Sequence, residues 1–322
     1  IHAAKDTRDD LWRVKAYRTA VPQIRAHPTR IKSAREACQL RGVGQKTAEK
    51  IMEIINTGSL ERLATERKGG MESLKLFKGI YGIGSKRAMD FIASGCRTLD
   101  DIRERKGGIK LTAGQEIGLR YYDDLNDRMP RSEAGEIFGM IKQRALDIDS
   151  KLAIEIMGSY RRRKETCGDI DILITRDPKD GKTHAGVLQK LLRILHRDGI
   201  ITEDLGTPHE QDSLEAKWMG IGRRDATSKR RRIDILTIPF DQLGAALLYF
   251  TGDDIFNRSM RLKANRMGYS LNQRGLYRNV IRDPTDRSNK LDSGELFASR
   301  TEREIFDALR VPWQEPWERV RG

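Results

Sequence analysis

Cysteine is scarce in this chain: three residues in 322, at Cys38, Cys96 and Cys167. They are too few and too scattered for a disulfide framework or a zinc site, so a reducing compartment is expected. No hydrophobic run approaches the length of a membrane span, no secretory signal opens the chain, and no stretch is of low complexity. The first residue is Ile1 rather than Met, which suggests a processed or engineered fragment. Positive charge is abundant instead. Lys and Arg number 61 against 47 Asp and Glu, giving a formal net charge of +14 and a pI near 9.7. That balance suits a protein that grips a polyanion, although basic surfaces are common and decide little alone. The length allows two or three domains and a sizeable core.

The densest chemistry lies at 157–175, MGSYRRRKETCGDIDILIT. Asp169 and Asp171 alternate with Ile170 and Ile172, so in a strand both carboxylates project to one side and the isoleucines anchor the other. Like charges so placed are unfavourable unless a cation neutralises them. Hard oxygen ligands suit Mg²⁺, held by one or two carboxylates and by substrate phosphates. Upstream, Gly158 and Ser159 supply a tight turn and a hydroxyl, and Arg161, Arg162, Arg163 and Lys164 suit a triphosphate. A third carboxylate, Asp234, sits between isoleucines in the strand-like run RRRIDILTI. A lone Asp-x-Asp is usually a solvated strand edge. The Gly-Ser turn before it and the second Ile-Asp-Ile strand after it point to metal-dependent nucleotidyl transfer.

An internal repeat stands upstream. RGVGQKTAEKIM at 41–52 matches YGIGSKRAMDFI at 81–92, an offset of 40 residues. Each copy places Gly42 and Gly44, or Gly82 and Gly84, before an amphipathic helix whose first backbone N–H groups are free to meet a phosphodiester. The pair resembles helix-hairpin-helix motifs, which hold the DNA backbone without reading sequence. The spacing predicts helices over 10–27, 33–39, 46–57, 71–78, 85–94, 113–127 and 132–148. Strands are expected at 153–157, 169–175, 217–220 and 232–238, with a helix near 185–198. Beyond Phe240 come helices at 241–249, 254–267 and 301–309 and short strands near 269–281. Loops are expected at 206–215 and, strongly basic, at 223–232.

The GSYRR and CGDIDIL segments, the RRIDI strand, LYFTGDDIFNRSMR at 248–261 and the doubled hairpin together resemble the family X DNA polymerases. The likeness is greatest to the lambda type, in a fungal form, with the beta type a near relative, and it runs from Trp12 to about Trp317. It implies an α+β multidomain fold. A lyase domain with the first hairpin covers 1–66, and a DNA-gripping helical subdomain with the second covers 67–149. A nucleotidyltransferase palm with a mixed β-sheet covers 150–239, and a small α/β subdomain for the nascent base pair covers 240–322. No BRCT-like segment is present, and the first lyase helix is expected to be cut short.

The resemblance also implies roles. Asp169 and Asp171 hold two Mg²⁺ ions, with Mn²⁺ as a substitute, and Asp234 holds the catalytic ion beside the primer 3′-hydroxyl, near Arg232. Gly158, Ser159, Arg162, Gly168 and Arg131 cradle the nucleotide phosphates. Tyr249, Phe250, Thr251 and Gly252 form the sugar-facing turn. Asp254, Asn257, Arg258 and Arg261 share one helix face toward the nascent base pair. Gln273 stands where related enzymes often carry Glu, which puts an ionic hold on Arg261 in question. Na⁺ or K⁺ at the hairpin turns is a further expectation. The implied partners are gapped or broken double-stranded DNA, dNTPs and repair or end-joining proteins, with no membrane, for a nuclear monomer. The implied activity is template-directed filling of short gaps in excision repair and end joining. A template-independent terminal transferase is the alternative, against which the short 206–215 loop speaks, and a non-catalytic end-bridging protein is the other.

Lys46 and Lys50 lie one helical turn apart, so they face the same side. By resemblance Lys50 is the Schiff-base nucleophile of a 5′-deoxyribose-phosphate lyase, supported by Glu49, Tyr17, Arg13 and Arg62. Borohydride should therefore trap a covalent adduct with a 5′-deoxyribose-phosphate end, because reduction captures the imine. Lys50→Ala is expected to remove most of the adduct, with any remainder passing through Lys46. Undiminished trapping in Lys50→Ala, with loss in Lys46→Ala, would move the nucleophile by one turn.

Overall fold

The two repeat copies fold alike. In the first, the helix Ala34–Cys38 turns through Gly42 into the helix Gln45–Thr57; in the second, Met71–Lys78 turns through Gly82 into Ser85–Ala93. Gly42 and Gly82 have φ of 84° and 77°, a left-handed conformation that glycine enters without strain. The amide of Val43 donates to Leu40 at 3.0 Å and that of Ile83 to Ile80 at 3.1 Å. Gly44 and Gly84 cap their helices without a side chain. Val43 and Ala48 in one copy, Ile83 and Ala88 in the other, are buried and seat the second helix. Gln115 donates to the carbonyl of Gly82 at 3.0 Å and braces the second turn.

The computed structural model describes the backbone at residues 8–60, 70–208, 212–285 and 289–320, with side chains from residue 16 onward. Two compact units result, Ile1–Tyr122 and Asp123–Gly322. The expected boundary at 66/67 lies outside the described residues.

The second unit is built on a five-stranded sheet. Its strands are β1 (Leu152–Ile156), β2 (Ile170–Arg176), β3 (Ile201–Gly206), β4 (Ala216–Gly222) and β5 (Arg231–Thr237). They run in the order β1-β2-β5-β4-β3, with β2 and β5 parallel and the remaining pairs antiparallel. A mixed sheet was expected. β2 and β5 are buried along nearly their whole length, as central strands covered on both faces must be. One face carries the helices Arg131–Ile148 and Val187–Arg197, which contribute Ile137, Ile141, Leu191 and Leu195 to the core with Ile172 and Ile235. The other packs Leu173 and Leu236 against Ala246 of the helix Leu243–Thr251.

A smaller core joins Phe256 and Met260 of the helix Asp254–Arg266 to Ile305 and Phe306 of the helix Glu302–Ala308. A three-stranded sheet of β6 (Ser270–Asn272), β7 (Gly275–Arg278) and β8 (Glu295–Ala298) belongs to the same region.

The helix Arg131–Ile148 falls in the region expected to end at 149, and its apolar face packs into the sheet core, within the compact unit that begins at Asp123. Helical period reveals an apolar stripe but not which surface covers it. Two expectations need correction. The helix expected over 113–127 is interrupted, as Ala113–Arg120 and Tyr122–Asn126. Strands β3 and β8 were not anticipated, because neither alternates cleanly between buried and exposed positions.

Gly244 measures how closely the two parts of the second unit approach. A Cβ there would lie 2.2 Å from the carbonyl carbon of Thr301. Gly244→Ala is expected to destabilise the fold by about 1–3 kcal/mol or more, the usual cost of overpacking. Gly84→Ala, with nothing within 4 Å of the added carbon, should cost far less. A thermal melt of each variant checks the ordering.

Candidate active site

Parallel pairing of β2 with β5 aligns Ile170 with Ile233, Asp171 with Asp234 and Ile172 with Ile235. The flanking isoleucines are completely buried, so they fix both strands and hold the two carboxylates side by side, about 5 Å apart at the backbone. Asp234 is 8% exposed. Its Oδ1 is buried without a hydrogen-bond partner, and Lys217 on β4 reaches its Oδ2 at 3.5 Å. Burial first, and the neighbouring Asp234 second, push the Asp171 carboxyl up to about 6, while Lys217 and Arg162 pull the other way. The pair therefore carries more negative charge than its surroundings compensate.

Asp169 stands one residue before β2 and is turned aside. Its Oδ2 is paired with Nη2 of Arg232, whose Nε also lies 3.7 Å from Oδ1 of Asp234. Among the described residues no three His, Cys, Asp or Glu side chains converge as a ready metal set, and Arg232 is paired with the third carboxylate. The donor chemistry nevertheless fits a hard divalent cation: two adjacent carboxylates, one with an orphaned oxygen, and a third within reach once Arg232 moves.

Gly158 begins the turn that faces this pair. Its φ is 56°, and a Cβ there would lie 2.7 Å from Oδ2 of Asp171, so only glycine lets the turn approach so closely. The cleft beyond, about 500 Å³, brings together Gly158, Ser159, Arg162, Gly168, Asp169, Asp171, Tyr249, Phe250, Gly252, Asp254, Asn257 and Arg261. Arg162 donates to the carbonyl of Thr251, and its Nε is buried without a partner. Burial lowers its guanidinium from the ordinary value, against the pull of Asp253 and Asp171. An underpartnered cation beside the cleft is suited to an anion.

The turn at Tyr249–Gly252 is held by Asn257, whose amide donates to the Tyr249 carbonyl at 2.7 Å. Tyr249 and Phe250 meet edge to face with centroids 5.0 Å apart. Arg261 lies over the Tyr249 ring at 5.6 Å, so an aromatic face holds it rather than an acid at position 273. Gln273 instead lines a neighbouring cavity of about 820 Å³ with Lys217 and Arg274.

Not every expected residue reaches the cleft. Arg131 is stacked 3.7 Å from the Tyr160 ring centroid and donates to that residue's carbonyl. Arg258 is paired with Asp254 on an exposed helix face. Conversely, Arg128 and Asp253 line the cleft without having been anticipated. Arg128 is fixed by Thr166 through hydrogen bonds of 2.8 and 2.7 Å, and its position just before Met129-Pro130 was the available signal. In the first unit, half-buried Lys50 donates to the hydroxyl of Tyr17 at 2.6 Å, with Lys46 exposed one turn earlier. Arg62 and the side chain of Arg13 lie outside the described residues.

The strained charge at Asp171 has a measurable consequence. A carboxyl whose folded pKa of about 6 exceeds its ordinary value of 3.8 lowers stability as pH rises between those values, and the loss persists above them. Asp171→Asn should therefore stabilise the protein in chelator by about 1–3 kcal/mol at pH 8 and by little at pH 4. Thermal melts at both pH values check the sign; no gain at pH 8 would mean that the pair is already compensated.

Four segments match known families: 2–60 the helix-hairpin-helix domain, 75–126 the fingers domain of DNA polymerase lambda, 128–240 the DNA polymerase beta palm, and 246–320 the DNA polymerase beta thumb. The chain is 39% identical to DNA polymerase lambda of Rattus norvegicus over 317 residues, covering 98% of this chain and 54% of that protein. It is 34% identical to DNA polymerase lambda of Arabidopsis thaliana over 315 residues, 94% of this chain and 57% of that one. DNA nucleotidylexotransferase of Monodelphis domestica is 28% identical over 334 residues, 93% and 62% respectively. The chain thus spans little more than half the length of these relatives. Fingers, palm and thumb matches follow one another along the chain, with the paired aspartates in the palm segment, and the chain belongs to the family X DNA polymerases.

Proposed function

We propose that this chain is a template-directed DNA polymerase that fills short gaps, adding a dNTP to a primer 3′-hydroxyl with release of pyrophosphate. The observation that carries this reading is the under-compensated pair Asp171 and Asp234, of which Asp171 lines a cleft that also presents Arg162 and Arg128. Asp171, Asp234 and, once released by Arg232, Asp169 are the candidate ligands of two Mg²⁺ ions, for which Mn²⁺ can substitute. Such ions, when bound, lower the pKa of the attacking hydroxyl and neutralise the triphosphate. Arg162, Arg128 and Ser159 orient the triphosphate, and the Gly158 turn brings it against the aspartates. Gly252 and Tyr249 shape the wall that the sugar meets, and Asn257 keeps that wall in place. Arg232, freed from Asp169, is available to the primer terminus.

In the first unit the two hairpins are proposed to hold the DNA backbone, with Na⁺ or K⁺ at the turns. Lys50 is proposed as the amine of a lyase site, with Tyr17 against it. Gapped DNA, dNTPs and repair or end-joining proteins are the proposed partners, in a nuclear monomer. The likeness to a nucleotidylexotransferase supports a second reading, template-independent addition. The connection between β3 and β4 is only nine residues, 207–215, which favours the templated one.

Primer extension on a one-nucleotide gap, with and without a template base, tests both. Extension only with template, lost in Asp234→Asn by about a hundredfold or more while DNA binding persists, is the expected result. Equal extension without template would favour the second reading, and an active Asp234→Asn would refute the assignment of the pair.

A further inference from the structure

Three arginines follow one another after the Gly158 turn, and only the middle one faces the cleft. Arg161 is committed to Glu302 through Nη1 and Nη2 at 3.0 and 2.7 Å. Glu302 is in turn bound by Arg319, which is fully buried. Burial alone would raise the Glu302 carboxyl, but the two arginines hold it below the ordinary value. Arg163 points away from the cleft and lays its guanidinium 3.5 Å from the ring centroid of Trp317. Trp317 sits in the short turn Pro316–Glu318, two residues before Arg319. The 316–319 segment thus holds Arg163 directly and braces Glu302, the partner of Arg161, through Arg319.

Arg163 has φ of 58°, the left-handed region that residues other than glycine occupy uncommonly and at some cost. That conformation closes the turn. The amide of Arg163 donates to Tyr160 at 2.9 Å, and the next amide, of Lys164, returns to the carbonyl of Ser159 at 3.0 Å. Ser159 and Arg162 lie inside the loop so closed, and both line the cleft.

We propose that Arg163 and Trp317 form a clasp that holds this turn in its phosphate-receiving shape, making them positioning residues for the incoming nucleotide triphosphate. The stacked ring keeps Arg163 in a conformation it would otherwise leave. With the ring gone, the turn relaxes and offers Ser159 and Arg162 less well. The proposal rests on the reading of the cleft as a triphosphate site.

The test is a cycle of variants on the whole chain, read in two ways: KM and kcat for dNTP in single-gap extension, and binding of inorganic tripolyphosphate by calorimetry. Trp317→Ala and Arg163→Ala are each expected to raise KM and weaken tripolyphosphate by about five- to tenfold, the scale of one cation–π contact, with kcat changing little. Trp317→Phe should retain most of the affinity. Arg163→Gly should lose less than Arg163→Ala, because glycine enters the left-handed region unaided. In the Arg163→Gly background, Trp317→Ala should add nothing further. A Trp317→Ala effect of equal size in both backgrounds, or none in the wild type, would overturn the clasp. If extension is absent while tripolyphosphate binding still depends on the pair, the polymerase reading fails and the clasp stands. If extension is intact but binding and KM ignore the pair, the clasp alone fails.

Discussion

Two carboxylates, one buried and one half-buried, placed side by side by in-register parallel strands are the constraint on which the rest of this structure depends. Asp171 and Asp234 cannot relax apart, because the isoleucines before and after each are locked in the core. The energy of that proximity is held by the sheet and by the helices packed on both its faces. What surrounds the pair can be understood as partial answers to its charge. Lys217 reaches one oxygen, Arg232 occupies the third aspartate, and Arg162 stands across the cleft without a full set of partners. None neutralises the pair, so a cation that does is strongly favoured there.

The positive charge of the chain is unevenly employed. Arg176 is buried between Asp149 and Asp180, and Arg231 is buried against Glu133, with Asp127 nearby. These arginines tie loops and helices to the sheet and are not available to a polyanion. The same division of labour occurs within three consecutive residues at 161–163, where two arginines brace the turn and one faces the cleft. A net charge of +14 therefore says that a polyanion is a plausible partner but not which cations meet it.

The sheet and its aspartates were readable because the pattern is local. An Asp set between isoleucines in a run too short for a helix specifies a buried strand with one polar face, and Asp171 and Asp234 both follow it. The repeat was readable for the same reason: Gly42 and Gly82 occupy positions whose φ excludes most other residues. The diversion of Asp169 to Arg232 was not readable, because it depends on which strand lies beside β2. Arg131 and Arg128 illustrate the limit from the other side. Both are arginines next to Met129-Pro130, and only the packing of Tyr160 and Thr166 decides that one is stacked and the other lines the cleft. Helix Arg131–Ile148 was visible by its period, whereas the surface covering its apolar face was not.

The most direct measurement is anomalous diffraction from Mn²⁺ in crystals of this chain with gapped DNA and an incoming nucleotide that cannot react. The account predicts manganese bound by Asp171 and Asp234, with Asp169 released from Arg232 and turned toward the metal. Manganese bound elsewhere, or Asp169 still paired with Arg232 beside an occupied nucleotide site, would contradict it.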